Sequence, residues 1–351
     1  MKKVFYMATA LAFMIAMVQV PAIQAESESN LKKIPLRYSN HIPKMVGGNI
    51  FLHQVYMPRV QEQLAKVGYT LDVTFYHSGS LYKYSDQVQA CDQGLVDMTS
   101  IVLSYELARA PLHEVLDMPF MGWDPRSAYL AWAELDESIP EFQAELSGFK
   151  ELYRFISVPR LVHHNLKQGR VPADFKGTKI HTTGMTGDLF RSLGAVPIRQ
   201  NPGDWYTSLD RGLFDGIAVG FDMVTILKLY EVLNNHVIPT NDGFGYTAVS
   251  QLMNRQVFDS LPAPVQKVLE ENAMWATETL TQMEMDKIPM YEAGPRKKGN
   301  NFLMLTPEET ALWREAVKPI HEEWIEKMEA KGLPGRKVFE ESMRLSHKYK
   351  D

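Results

Sequence analysis

Hydrophobic and polar positions alternate in TLDVTFY, where Leu71, Val73 and Phe75 fall on one side, as in a half-buried strand. The stretch before it, GNIFLHQVYMPRVQEQLAKVG, is spaced as a helix. LRYSNHI predicts an earlier strand that leaves into a polar loop at Asn40 and His41. YSDQVQACDQ predicts a second helix ending at Gly94, and Val96-Asp97-Met98 opens another strand. Strands alternating with helices predict an α/β fold, a largely parallel sheet with covering helices.

The pattern then echoes. DQGLVDM at Asp92 to Met98 returns as DRGLFDG at Asp210 to Gly216. Each copy reads as a helix end, a glycine able to take the left-handed conformation, and an apolar entry into a strand. One such turn in each half predicts two lobes built on similar plans, with a ligand cleft between them. The C-terminal third is helix-rich. From Ala263 to about Ile288, residues Val265, Val268, Leu269 and Ala273 share an apolar face. Thr306-Pro307-Glu308-Glu309 is a capping box with proline at the first helical position. Leu312, Trp313, Ala316, Val317, Ile320 and Trp324 follow at helical spacing, and the helix stops near Gly332. Such long helices brace lobes by core packing. The expected plan is lobe I from residues 35–156 plus about 246–285, and lobe II from 157–245 plus about 286–335 with the bracing helices. The chain is expected to cross between lobes near 155–160 and 240–247.

Residues 1–25 stand apart. Lys2 and Lys3 precede an apolar-rich run from Val4 to about Val20, and Pro21-Ala22-Ile23-Gln24-Ala25 closes it. That is the layout of a signal peptide cleaved after Ala25, and it predicts an exported, soluble protein. A membrane anchor is the alternative, but the run is marginal in length for one and lacks a charged stop-transfer flank. The formal net charge of −5 and the absence of a Lys/Arg-rich stripe argue against a nucleic-acid partner. Cys91, the one cysteine, cannot form an internal disulfide and reads as a small buried apolar residue.

No motif supports catalysis. His321-Glu322-Glu323 starts like a zinc-protease helix, but Ile325 stands where the second histidine belongs. GMTGD lacks the glycine spacing that wraps phosphates, and no nucleophile elbow is present. His163 and His164 are adjacent on a presumed strand and so point to opposite faces, unable to chelate one metal together. Neither a metal nor a cofactor is expected.

ADFKGTKI, SLGAVPI and DWYTSLDRGLFDG together resemble the signature region of the TRAP-type (DctP family) periplasmic substrate-binding proteins. The family pattern is roughly D-x-K-G-x-K-x-R, then Y-x-A-L-x-x-G-x-x-D-G-Q-E-N. This chain supplies Asp174, Lys176, Gly177 and Lys179 for the first, and Tyr206, Leu209, Gly212, Asp215 and Gly216 for the second. GSL at Gly79, GLVDM at Gly94 and DMPF at Asp117 also look like family landmarks. The resemblance spans about residues 35 to 330. It departs at two places: His181 replaces the family's carboxylate-binding arginine, and Ile217-Ala218-Val219 replaces Gln-Glu-Asn. An arginine fork grips a carboxylate through two parallel bonds, which a histidine cannot reproduce. Arg160, in SVPRLVHHN, falls near a second arginine of some members, with a strand-closing surface residue as its alternative role.

The resemblance implies a two-lobed periplasmic-binding-protein-like fold with long C-terminal bracing helices. It implies a receptor that closes on a small polar solute in the interlobe cleft and delivers it to two integral-membrane permease subunits. An exported hydrolase using the same cleft is the alternative. The cleft candidates it implies are His181, Arg160, Asn40, Ser104, Tyr105, Trp205, Tyr206, Asp215 and Asp222. Without the arginine fork, and with Glu106, Asp215 and Asp222 nearby and Trp205-Tyr206 as a cation–π pair, a neutral or cationic solute is slightly favoured over an organic anion.

Overall fold

The computed structural model describes residues 30–44, 47–200, 202–240 and 242–350; the leader expected at 1–25 lies outside the described residues. Eleven described strands form two sheets. They are β1 Lys32–Ser39, β2 Tyr69–Tyr76, β3 Met98–Val102, β4 Phe149–Ile156, β5 Leu161–His164, β6 Lys179–His181, β7 Val196–Ile198, β8 Gly216–Val219, β9 Asn235–Ile238, β10 Ala248–Asn254 and β11 Asn301–Met304. One sheet has the order β2-β1-β3-β10-β4, and the other β11-β9-β5-β8-β6-β7. The fold is therefore α/β and two-lobed.

Each sheet is parallel but for one strand, and that strand is the one that has just crossed. β10 runs antiparallel to β3 and β4, and β5 runs antiparallel to β8 and β9. A parallel strand that ends at the cleft must continue into the other sheet from the same edge, so its successor runs backwards there. The direct strand-to-strand crossings lie between Ile156 and Leu161 and between Ile238 and Ala248; a third passage, to β11, runs through helices. They pair with each other: Ser157 N donates to Thr247 O, Arg160 N to Gly245 O and Phe244 N to Arg160 O, at 2.9–3.0 Å. Gly245 has φ 112, and a Cβ there would stand 2.6 Å from the Asp117 carbonyl, so the junction tolerates no side chain.

Behind the junction, Phe120, Phe175, Phe190 and Phe244 pack around Trp313 in one buried cluster. Trp313 belongs to the helix Pro307–Glu329, whose expected capping box is present. Thr306 N donates to Glu309 Oε2 at 2.8 Å and Glu309 N to Thr306 Oγ1 at 3.2 Å. The helical run after Ala263 is broken into Ala263–Glu271, Ala273–Asp286 and Ile288–Lys298. The second piece packs on β4 and the third on the short helix Phe221–Ile226, so this arm touches both sheets. The helix after β1 is also less regular than its spacing suggests. Pro58 has no N–H to give, and the turn before it, Leu52–Tyr56, widens into a π-helix.

Candidate functional site

The echoed heptapeptides have the same structural job. Asp97 Oδ2 accepts the backbone N–H of Arg37, and Asp215 Oδ2 accepts that of Lys179, both at 2.7 Å. Each aspartate also donates its own N–H to the same residue's carbonyl. The pair stitches β3 to β1 and β8 to β6 where their parallel pairing begins. Asp215 therefore sits at the end of β6 away from His181. Its carboxylate is spent on the sheet.

The cleft-side edge collects the ends of β1, β3, β6 and β8. On lobe I, Asn40 is buried and fully used: Nδ2 shares its two protons among Tyr38 Oη at 2.7 Å, Ser100 Oγ at 2.7 Å and Asn49 Oδ1 at 3.1 Å. Its Oδ1 accepts the Ile42 N–H at 2.6 Å. Tyr105 follows β3 on the 3-10 turn Leu103–Tyr105 with 54% of its surface exposed. Ser104 is only half-buried beside it, and burial raises the carboxyl of the next residue, Glu106, above its ordinary range.

On lobe II, His181 ends β6 with 3% exposure. Its Nε2 is 3.2 Å from the Gln200 carbonyl, which also accepts the Trp205 indole N–H at 3.1 Å. A carbonyl only accepts, so Nε2 carries the proton and Nδ1 is left as a lone pair. Burial holds the imidazole below its usual pKa, which keeps it neutral. Trp205 packs on the ring with centroids 4.6 Å apart. His181 Nδ1, Thr182 Oγ1 and Gln200 Oε1 are all buried without a partner. Such orphans are rare and costly in a finished interior. Beyond them begins the helix Gly184–Ser192, and its N-cap residue Thr183 makes no side-chain cap. The first N–H groups of a helix have no acceptor in their own turn and favour an anion.

Arg160 lies at the junction, buried, and its fork is engaged. Nη2 donates to Asp117 Oδ1 at 3.0 Å and Nη1 to Thr186 Oγ1 at 2.8 Å, so it joins the first crossing to both lobes. Asp117 Oδ2 has no partner and lies where a Cβ on Gly184 would be 2.7 Å away. Burial raises the Asp117 carboxyl to about 6, against the pull of Arg160. Tyr206 does not join Trp205. It is exposed and its hydroxyl donates to Glu231 at 3.0 Å. Asp222 begins the helix after β8, and burial, with Glu284 adding a like charge, raises it to about 6.

The strand ends thus place His181, Trp205 and Asp222 on lobe II and Asn40 and Tyr105 on lobe I, with Arg160 at the junction between them. Thr182, Thr183 and Gln200 were missed by sequence reading. The run HTTG before a helix was the available signal for the threonines; nothing local marks Gln200. Cys91 is buried and its thiol is pushed up to about 12, as an inert apolar residue would be. A hollow of about 470 Å³ lined by His164, Arg170, Asn235 and Glu309 lies at the opposite edge of lobe II, away from these groups.

The family model for "Bacterial extracellular solute-binding protein, family 7" (DctP) matches residues 61–328. The C4-dicarboxylate-binding periplasmic protein of Rhodobacter capsulatus is 28% identical over 281 residues, 76% of this chain and 80% of that one. The C4-dicarboxylate-binding protein of Bacillus subtilis is 20% identical, over 80% and 78% of the two chains. A marine-metagenome TRAP solute-binding protein crystallised with 3-hydroxybenzoate superposes with a TM-score of 0.81 at 22% identity, covering 91% of this chain and 99% of that one. A Bordetella pertussis extracytoplasmic receptor binding pyroglutamic acid gives 0.73 at 18% identity, covering 90% and 100%. At these identities the structures speak for the fold alone.

Proposed function

The chain belongs to the DctP family of extracellular solute-binding proteins, and on that premise we propose that it captures a small organic acid carrying a second, hydrogen-donating group. Proteins of this family are periplasmic TRAP receptors that bind small solutes and work with membrane permease components. We assign delivery to a pair of permease subunits and export through the cleaved leader at 1–25. Lobe closure around the solute is the transport step. The observation that carries the solute class is the run from His181 to Gly184, in which a buried histidine lone pair comes two residues before an uncapped helix end. The helix Gly184–Ser192 offers amides, and the threonines offer hydroxyls, to a carboxylate. His181 Nδ1, an acceptor, needs a hydroxyl or N–H from the same solute. His181 therefore does not replace the family's arginine; it reads a different part of the ligand.

The lean toward a neutral or cationic solute loses its support. Asp215 is committed to the far edge, Tyr206 stands apart from Trp205, and the Asp222 and Glu106 carboxyls hold their protons more tightly than usual. The relatives point to an acid: two are named for C4-dicarboxylates, and among the structural neighbours one holds 3-hydroxybenzoate and one pyroglutamic acid, both with an added donor, and one benzoate, which has none.

A thermal-shift and calorimetric comparison tests this with succinate against malate and benzoate against 3-hydroxybenzoate, with amino alcohols and polyols as controls. The donor-bearing acid of each pair should bind at least tenfold more tightly. A solute at 100 times its Kd should stabilise the native state by about 2.7 kcal/mol. Response to amino alcohols alone would overturn the assignment, and a solute recovered chemically altered would favour the hydrolase.

A further inference from the structure

A second pair of facing polar groups lies on lobe I. His77 directly follows β2, at the same edge as Asn40, whose N–H donates to the Tyr76 carbonyl. His53 lies in the π-helical turn Leu52–Tyr56, a distortion that often aims a side chain at a functional site. Their Nε2 atoms are 2.8 Å apart and their ring centroids 4.9 Å apart. Phe75 fixes both rings: it stacks on His77 at 5.7 Å and lies 4.4 Å from His53. Both histidines are only half-buried, so solvent reaches them.

One proton at most fits between two facing Nε2 atoms, so one of them always presents a lone pair to the other. Neutral imidazole is the form that binds metal. Two nitrogens at about 2.0–2.1 Å from a shared ion, at angles near 90–110°, stand about 3 Å apart. A small rotation of either ring turns the present contact into that arrangement. His77 Nδ1 is buried and partnerless, so no other bond holds that ring in its present orientation.

We propose that His53 and His77 form a two-imidazole clip for a late first-row divalent metal ion, of the Cu²⁺ or Ni²⁺ kind, on the cleft-side rim of lobe I. Imidazole nitrogens suit these ions, whereas Mg²⁺ and Ca²⁺ demand oxygen. Among the described residues no third His, Cys, Asp or Glu joins the pair. Water therefore fills the remaining positions, and the ion exchanges freely rather than holding the fold.

The test is titration of untagged protein with Cu²⁺ and Ni²⁺ by calorimetry, with electron paramagnetic resonance on the Cu²⁺ form. One ion per chain should bind, its spectrum split by two imidazole nitrogens, and Mg²⁺ should give no heat. His53→Gln and His77→Gln keep a hydrogen-bonding side chain, and each should weaken binding at least tenfold with unchanged circular dichroism. Equal Cu²⁺ affinity in the wild type and the double variant, or a spectrum without two imidazole nitrogens, would overturn the clip. Neither result depends on which solute the cleft holds.

Discussion

The two rims of the cleft are polar in opposite ways. On lobe I, the Asn40 amide makes four hydrogen bonds and is closed by its neighbours. On lobe II, three polar atoms, on His181, Thr182 and Gln200, are buried with nothing to bind. A satisfied buried network rigidifies; an unsatisfied one costs stability until something fills it. Lobe I keeps orphans of its own, at Ser39 Oγ and His77 Nδ1, so the contrast is between the closed Asn40 amide and the open acceptors around His181, where we propose that a solute completes the chemistry. Arg160 stands between them with its charge already matched by Asp117.

The largest expected effect tests whether Arg160 belongs to the frame or to the ligand. Removing one partner of a buried ion pair strands the other charge, at about 3–5 kcal/mol. Arg160→Ala should lower stability by that amount in urea unfolding without ligand. Adding Asp117→Leu should recover part of it. A variant that stays stable but no longer binds solute would move Arg160 to the ligand side of the comparison.

Asn40→Ala probes the finished rim. It strands the partners of four bonds in a buried setting, and an estimate of about 2–3 kcal/mol follows. Solute affinity of the folded fraction should change less than threefold. The comparison breaks if stability is kept and affinity collapses.

Asp222 sharpens it through pH. Its carboxyl is raised to about 6, so the native state holds this proton more tightly than the unfolded chain does. That advantage is complete below the unfolded value near 4 and is lost as pH rises through 6. Asp222→Asn should therefore be more stable than the wild type at pH 7.5, on the order of 1–2 kcal/mol, and no more stable at pH 3.5. Denaturant midpoints at the two pH values decide it. A gain equal at both would mean that packing, not ionisation, is responsible.

Much of this was legible in the chain. The Leu71-Val73-Phe75 alternation, the Thr306 capping box and the echo at Gly94 and Gly212 each reflect a local rule, and local rules survive folding. What the echo meant was not legible. Asp97 read only as the opening of a strand and Asp215 as a cleft candidate, because their partners, the amides of Arg37 and Lys179, are distant in sequence. The cleft was legible only as a position. His181 could be placed at a strand end, but its useful nitrogen is set by the Gln200 carbonyl, nineteen residues away. Tyr206 was misplaced beside Trp205 because neighbours on a short helix diverge by about 100°. Arg160 read as a second family arginine or a strand-closing surface residue, and its ion pair was hidden because Asp117 lies forty-three residues earlier.

His181→Leu should change stability least and specificity most. The substitution loses the bond to Gln200, worth about 1 kcal/mol, and removes the orphaned Nδ1, whose burial costs about as much. Leucine fills a similar volume against Trp205, so the unliganded protein should stay within about 1 kcal/mol of the wild type. Binding should respond quite differently. A solute whose hydroxyl meets Nδ1 loses that acceptor, whereas a solute lacking the hydroxyl has nothing to lose. The variant should bind malate at least tenfold more weakly and succinate nearly unchanged, so the preference between them narrows or disappears. The imidazole is neutral when it accepts, and burial holds its pKa down, so wild-type affinity for malate should be flat from pH 6.5 to 8. Affinity that falls steadily over that range would show a charged imidazolium holding the carboxylate itself. The histidine would then be a weak arginine after all, and the division of labour between the helix end and Nδ1 would be wrong.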